Sequence, residues 1–152
     1  MARGDAADVR SYLVPVDGSE AAYHALGVAC DLARRSKATV HVLHVIEVAR
    51  SLALDAELDV EVRRGEEILN RAEQVAGDHG IAVEGDLLQA RQAAHAVVDE
   101  AVERGVDAIV MGVEYHRPLG LFELGRLPTY VLEHAPTQVW LIRYPAPQAP
   151  PR

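Results

Sequence analysis

Tyr12-Leu13-Val14-Pro15-Val16-Asp17-Gly18-Ser19-Glu20 runs from unbroken apolar sequence through one carboxylate and one glycine to a hydroxyl. Apolar residues without alternation are what a strand needs when both of its faces are covered, as in the interior of a parallel sheet. Beyond Ser19 the period changes. From about Glu20 to Arg35, the residues Ala22, Leu26, Ala29, Cys30 and Ala33 recur at three- and four-residue steps, which places them on one stripe of a helix. Ser19 is positioned to cap that helix, and Gly18 permits the tight turn into it.

The alternation continues along the chain. Val40 to Ile46, Ala82 to Leu88, Ala108 to Met111 and Val139 to Ile142 are further strand-like runs, separated by stretches of helical period. Ala108-Ile109-Val110-Met111 is again apolar throughout. The second helix begins near Asp59, carries Val62, Leu69, Ala72 and Val75 on its stripe, and ends at Gly77 to Gly80. The third spans about Gln92 to Arg104 with Ala94, Val97, Val98 and Ala101 facing inward, and Gly105 closes it. The fourth covers about Pro128 to His134, where proline is tolerated because it falls in the first turn. Glu47 to Glu57 has no decisive period.

A strict β-α-β-α-β-α-β-α-β order wound with right-handed crossovers specifies an α/β fold with a doubly wound parallel sheet. Ligands in such sheets bind beyond the carboxyl ends of the strands, where the strand order reverses. Residues 1–144 form this one domain. The tail at 145–152, Pro-Ala-Pro-Gln-Ala-Pro-Pro-Arg, cannot pair in a sheet and reads as disordered.

Composition narrows the function classes. With 152 residues, 49% of them hydrophobic, the chain supports one sizeable core rather than two. No apolar stretch approaches the roughly 20 residues of a membrane span, and Met1 to Val9 lacks the apolar core of a secretion signal. The expected compartment is the cytoplasm. A formal net charge of -8 repels phosphate backbones and argues against nucleic acid as a partner. Cys30 is the only cysteine, so neither an intrachain disulfide nor a thiolate zinc site can form, and its apolar neighbours suit a buried inert thiol. His41 and His44, three apart on a strand, point to opposite faces, and His24, His79, His95 and His134 have no partners at ligand spacing. No metal is expected.

Two loops at strand ends can carry chemistry. Asp17 is placed either to accept a hydrogen bond from a ligand's base or ribose or to cap the following helix. The second loop, Met111-Gly112-Val113-Glu114-Tyr115-His116-Arg117-Pro118-Leu119-Gly120-Leu121-Phe122-Glu123-Leu124-Gly125-Arg126, is longer than its connection requires, as functional loops often are. Gly112 is expected to let a ligand approach the backbone, and Gly125 precedes a helix whose first amides attract anions.

Val14 to Glu20, Val42-Leu43-His44-Val45, Asp107-Ala108-Ile109-Val110-Met111-Gly112 and Tyr130-Val131-Leu132-Glu133-His134-Ala135-Pro136 closely resemble the universal stress protein family, in its order and spacing, over about Tyr12 to Tyr144. The resemblance implies a Rossmann-like, adenine nucleotide alpha hydrolase-like fold with strand order 3-2-1-4-5. It implies a homodimer joined along the fifth strands, here Gln138 to Arg143. It also implies an adenine nucleotide as cofactor, ATP, ADP or AMP, with Pro15, Val16, Asp17 and Val45 around the adenosine and Gly112 and Gly125 in the phosphate loop, and Met111 and Arg126 beside these glycines complete the candidate nucleotide-binding residues.

Members that bind ATP hold its phosphates with a loop of pattern Gly, two residues, Gly, nine residues, Gly, then Ser or Thr. Gly112 and Gly125 keep the outer positions here, but Tyr115 stands at the middle glycine and Arg126 at the hydroxyl. Pro128, with no N–H to donate, stands where another small hydroxylated residue is usual. Losing two charge-assisted hydrogen bonds lowers affinity by about 10² to 10⁴. Arg126, Arg117 and His116 add cationic character that can replace backbone donors, and Arg91 is expected at the same cleft. The residues leave open an ATP in the usual pose, a nucleoside monophosphate, another anionic ligand or no ligand.

The expected function is therefore a non-enzymatic, dimeric binding and regulatory module in stress response, with reduced or altered adenine-nucleotide binding. Similarity to stress protein domains associated with transporters adds a transporter as a candidate partner. The alternative is an ATP-binding universal stress protein with weak ATP hydrolysis. Adenylyl- or phosphoryl-transfer enzymes ordinarily carry a glycine-rich pyrophosphate loop after the first strand or a Gly-x-x-x-x-Gly-Lys-Ser/Thr loop, and neither is present. A phosphoacceptor signalling domain needs an acidic cluster at the ends of strands one and three and a lysine after strand five, and Leu87-Leu88-Gln89-Ala90 and Arg143-Tyr144 supply neither the strand-three acid nor the lysine.

Overall fold

A computed structural model describes residues 8–146; the N-terminal reading over residues 1–7 and the tail reading over 147–152 lie outside the described residues. The element order is β1 (Ser11–Pro15), α1 (Glu20–Ser36), β2 (Thr39–Glu47), α2 (Asp59–Asp78), β3 (Gly85–Ala90), α3 (Ala93–Arg104), β4 (Ala108–Val113), α4 (Arg126–His134) and β5 (Gln138–Arg143). All pairings are parallel, and the sheet order is β3-β2-β1-β4-β5. The doubly wound α/β fold is thus the one the alternating pattern specifies, and the strand order is the one the family resemblance implies.

The continuous apolar runs are explained by two cores, one on each face. Tyr12, Val14 and Val16 enter the core under α1 and α2, whereas Leu13 enters the core under α3 and α4. Along β4, Ala108 and Val110 take the first side and Ile109 and Met111 the second. Neither strand has a solvent face, so neither needs a polar residue. Ala22, Ala25, Ala29 and Ala33 of α1 are buried, and their small side chains let the helix lie close over the sheet. The Ser19 side chain accepts a hydrogen bond from the Ala22 N–H at 3.2 Å, so the expected cap forms.

One strand lies further along the chain than its hydrophobic run suggests. The pattern favours Ala82 to Leu88, yet β3 covers Gly85–Ala90 because its pairing with β2 begins at Val42↔Gly85 and ends at Glu47↔Ala90. Ile81 and Val83 are apolar for another reason, packing against the core as the chain leaves α2. Among the described residues, no helix is long and apolar enough to cross a membrane.

Candidate functional site

The strand order reverses between β1 and β4, and a slot opens there at their carboxyl ends. Pro15, Val16 and Asp17 line it from the end of β1, Leu43, His44 and Val45 from β2, and Met111 and Gly112 from β4. Ala22, Ala93, Val97 and Leu127 close it from the helices. An adjoining open mouth of about 480 Å³ shares Asp17, Val45, Ala93 and Leu127 with the slot and adds Glu47, Gln92, Ala94 and Arg126. A wider depression of about 590 Å³, bordered by Arg10, Gly105, Asp107 and Gln138, lies at the opposite, amino-terminal end of the strands. Since ligands of such sheets sit at the carboxyl ends, the slot and mouth form the candidate site.

Asp17 lines the slot and braces the turn into α1, while the helix cap itself is Ser19. Its Oδ1 accepts the Ser19 N–H at 2.9 Å, which holds the turn through Gly18 at a φ of 92°. His44 is tethered on the far wall, where its Nδ1 lies 2.7 Å from the Val16 carbonyl oxygen. A carbonyl can only accept, so Nδ1 carries the proton. Glu47 at the end of β2 reaches across to α3, its Oε2 accepting the Ala93 N–H at 2.9 Å. That bond substitutes for a cap that Gln92 does not provide.

Gly112 lines the slot and is also required by packing. A Cβ at this position would run into the Ala21 carbonyl group and stand 2.8 Å from the Ala22 nitrogen. The missing side chain makes room for the first turn of α1 against β4. Gly125 behaves as expected of a helix start: with φ at 91° it precedes α4, and its carbonyl accepts from the Thr129 hydroxyl at 2.7 Å. Pro128 falls within the first turn of α4, which leaves the Arg126 and Leu127 amides as that turn's donors on the site side.

The cationic residues separate sharply. Arg91 does not face the site: its Nη1 donates to the Ala49 carbonyl at 2.6 Å and the Leu52 carbonyl at 2.8 Å, clamping the turns after β2. Those turns are the segment whose sequence has no period. Arg117 donates to the Gly120 carbonyl and, at 3.2 Å, to the Tyr115 hydroxyl. Tyr115 lies outside the slot, in a separate cleft with Glu20, Glu114 and Tyr144, where the Arg143 guanidinium sits 5.1 Å from its ring centre. Only Arg126 of this group borders the mouth, exposed and without an ion pair among the described residues.

Of the residues singled out in the sequence, the fold brings together Pro15, Val16, Asp17, Val45, Met111 and Gly112 in the slot and Arg126 at the mouth, with Gly125 as the cap beside it. Leu43, His44, Glu47, Gln92, Ala93, Val97 and Leu127 also line the site without having been singled out. The place of Glu47, a carboxylate at a strand's carboxyl end, is the one signal that could have pointed to any of them. Among the described residues, no group of three or more His, Cys, Asp or Glu side chains is arranged to hold a metal ion.

Residues 9–143 match the sequence model of the universal stress protein family. The chain belongs to that family. A universal stress protein of Methanocaldococcus jannaschii is 25% identical over 142 residues, which is 90% of this chain and 83% of that one. Among solved structures, a universal stress protein from Archaeoglobus fulgidus superposes with a TM-score of 0.75 at 26% identity, covering 86% of this chain and 96% of that one. A structure of the Archaeoglobus fulgidus universal stress protein in complex with dAMP shares the fold, with a TM-score of 0.69 at 23% identity over 86% and 95% of the two chains.

Proposed function

We propose that this universal stress protein is a cytoplasmic, non-enzymatic regulatory module whose state is set by an adenine nucleotide, AMP, ADP or ATP, bound at the reversal point of the sheet. The observation that carries the reading is the slot itself: apolar walls from Val16, Leu43, Val45 and Met111 suit a planar base, and the remaining Asp17 oxygen suits a hydroxyl or amino donor. Pro15, Val16, Asp17, Val45, Met111 and Gly112 surround the adenosine in this reading, and Gly125 and Arg126 lie toward the phosphates. One protein sharing the fold has been solved with dAMP; for this chain the ligand class rests on its own lining residues.

ATP is held less firmly than the full glycine loop would hold it, because Tyr115 has left the phosphate position and Pro128 removes a donor. Binding rather than turnover is proposed since the Ser19 hydroxyl is engaged as a helix cap and has no base beside it. The outer edge of β5 is unpaired among the described residues, and Val139, Trp140, Leu141 and Ile142 are only half-buried. A second copy pairing along that edge would cover them. Leu119, Leu121 and Phe122, exposed on the long loop, would suit a protein partner such as a transporter.

The test is direct. Protein purified without added nucleotide is denatured and the released small molecules are identified by mass spectrometry, followed by titration calorimetry with AMP, ADP and ATP. An adenine compound released or bound in the micromolar range supports the reading, and no binding of any of the three overturns it. Sedimentation equilibrium reports on the dimer.

A further inference from the structure

Two carboxylates and one guanidinium stand at the mouth of the slot. Asp17 and Glu47 border it together, and Arg126 is the only cation among its lining residues. Three arginines on the loops and strand ends nearby are committed elsewhere: Arg91 to the Ala49 and Leu52 carbonyls, Arg117 to Gly120 and Tyr115, and Arg143 to the Tyr115 ring. Glu47 is fixed there by its bond to the Ala93 N–H, which uses Oε2 and leaves Oε1.

We infer that Glu47 is a specificity-determining residue that, with Asp17, makes the site select the nucleoside end of an adenine nucleotide and discriminate against each added phosphate. The inference rests on the adenine-nucleotide reading above and adds a selectivity to it. Carboxylate oxygens accept from hydroxyls, so a pair of them at the rim suits a ribose diol. The same charges oppose a polyphosphate tail. One phosphate is matched by Arg126, whereas the second and third enter a mouth with net negative charge. This differs from a loop that merely lacks donors, because repulsion weakens with salt while loss of donors does not produce that sign.

Glu47→Gln separates charge from scaffolding, since the amide oxygen can still accept from Ala93 and keep α3 capped. Calorimetry with adenosine, AMP, ADP and ATP is run on the full chain and on this variant, with circular dichroism and thermal melting as fold controls. The unaltered protein is expected to bind adenosine and AMP more tightly than ADP, and ADP more tightly than ATP. The variant should raise the ratio of ATP affinity to adenosine affinity about threefold or more, because it removes the charge that opposes the added phosphates while any lost ribose contact is common to all four ligands. In the unaltered protein, raising salt from about 0.05 to about 0.5 M should increase the ATP-to-AMP affinity ratio. ATP binding as tightly as AMP, or a variant that shifts all four ligands alike, overturns the inference and leaves the nucleotide reading intact. Failure of every adenine compound to bind either protein overturns both.

Discussion

Gly112 and Ala21 touch backbone to backbone: the place where a Cβ on Gly112 would project is already filled by the Ala21 carbonyl and the Ala22 nitrogen. The contact seats the first turn of α1 on β4, next to the strand reversal at which the slot opens. Because the obstruction is main chain rather than a flexible side chain, it cannot rotate away.

Gly112→Ala is therefore expected to destabilise the fold toward the upper end of the overpacking range, by about 3 kcal/mol. Urea unfolding of both proteins measures this. A loss below about 1 kcal/mol would mean that α1 shifts outward at little cost and that the contact is not the constraint described.

Cys30 is fully buried on α1, and burial, with Asp31 beside it, pushes its thiol pKa up to about 11. The thiolate is the reactive form, so the native protein should resist thiol reagents at neutral pH. Ellman's reagent is expected to label one thiol per chain only after denaturant is added. Rapid stoichiometric labelling of the folded protein would contradict the burial.

His41 supplies a pH dependence whose sign can be worked out. Burial first, then the nearby Arg104, holds its pKa below the usual 6.5, and its Nδ1 accepts from Arg104 Nη1 at 3.2 Å. The unfolded chain thus binds the proton more readily than the folded one. The neutral ring contributes stability above pH 6.5 that is lost as pH falls through the depressed folded value. Thermal melts between about pH 7.5 and 5 should show a falling midpoint that flattens in His41→Gln, which keeps an acceptor for Arg104 but does not titrate. Parallel slopes for the two proteins would assign the pH dependence to other groups.

Much of the fold was legible because β1 and β4 are buried on both faces and so carry apolar residues without interruption, a pattern few other structures demand. Asp17 was legible as a candidate because it stands just past the end of β1, whereas Val45, inside β2, was singled out only through the family resemblance. Arg91 and Tyr115 were not legible, because a long side chain's destination depends on which carbonyls and rings the tertiary fold brings within reach. Arg91 ends on the turns after β2, and Tyr115 ends against Arg143. Val97 and Leu127 are ordinary core residues by pattern, and only the crossing of α3 and α4 at the strand ends makes them walls of a slot.

Arg91 has a structural role that removal should expose. Its guanidinium ties together the Val48, Ala49 and Leu52 carbonyls, and Gln89 adds bonds to the Leu54 and Ala56 carbonyls. Arg91→Met should cost about 1 to 2 kcal/mol and speed amide exchange between Arg50 and Glu57 while leaving exchange in β1 unchanged. Unaltered exchange in that segment would show that the turns hold themselves.

Arg126 gives the most direct test of where the phosphate lies. Exposed at the start of α4 and without an ion pair among the described residues, it loses no such partner when it is replaced, so Arg126→Ala should fold normally. If its guanidinium meets the first phosphate of a bound nucleotide, the variant should lose AMP affinity by about tenfold or more, the worth of one charge-assisted hydrogen bond. Adenosine, which has no phosphate, should bind both proteins alike. Equal AMP affinity in the two would place the phosphate elsewhere, with the Arg126 and Leu127 amides as the remaining donors of that turn, and adenosine weakening in step with AMP would instead mark Arg126 as a residue that shapes the slot.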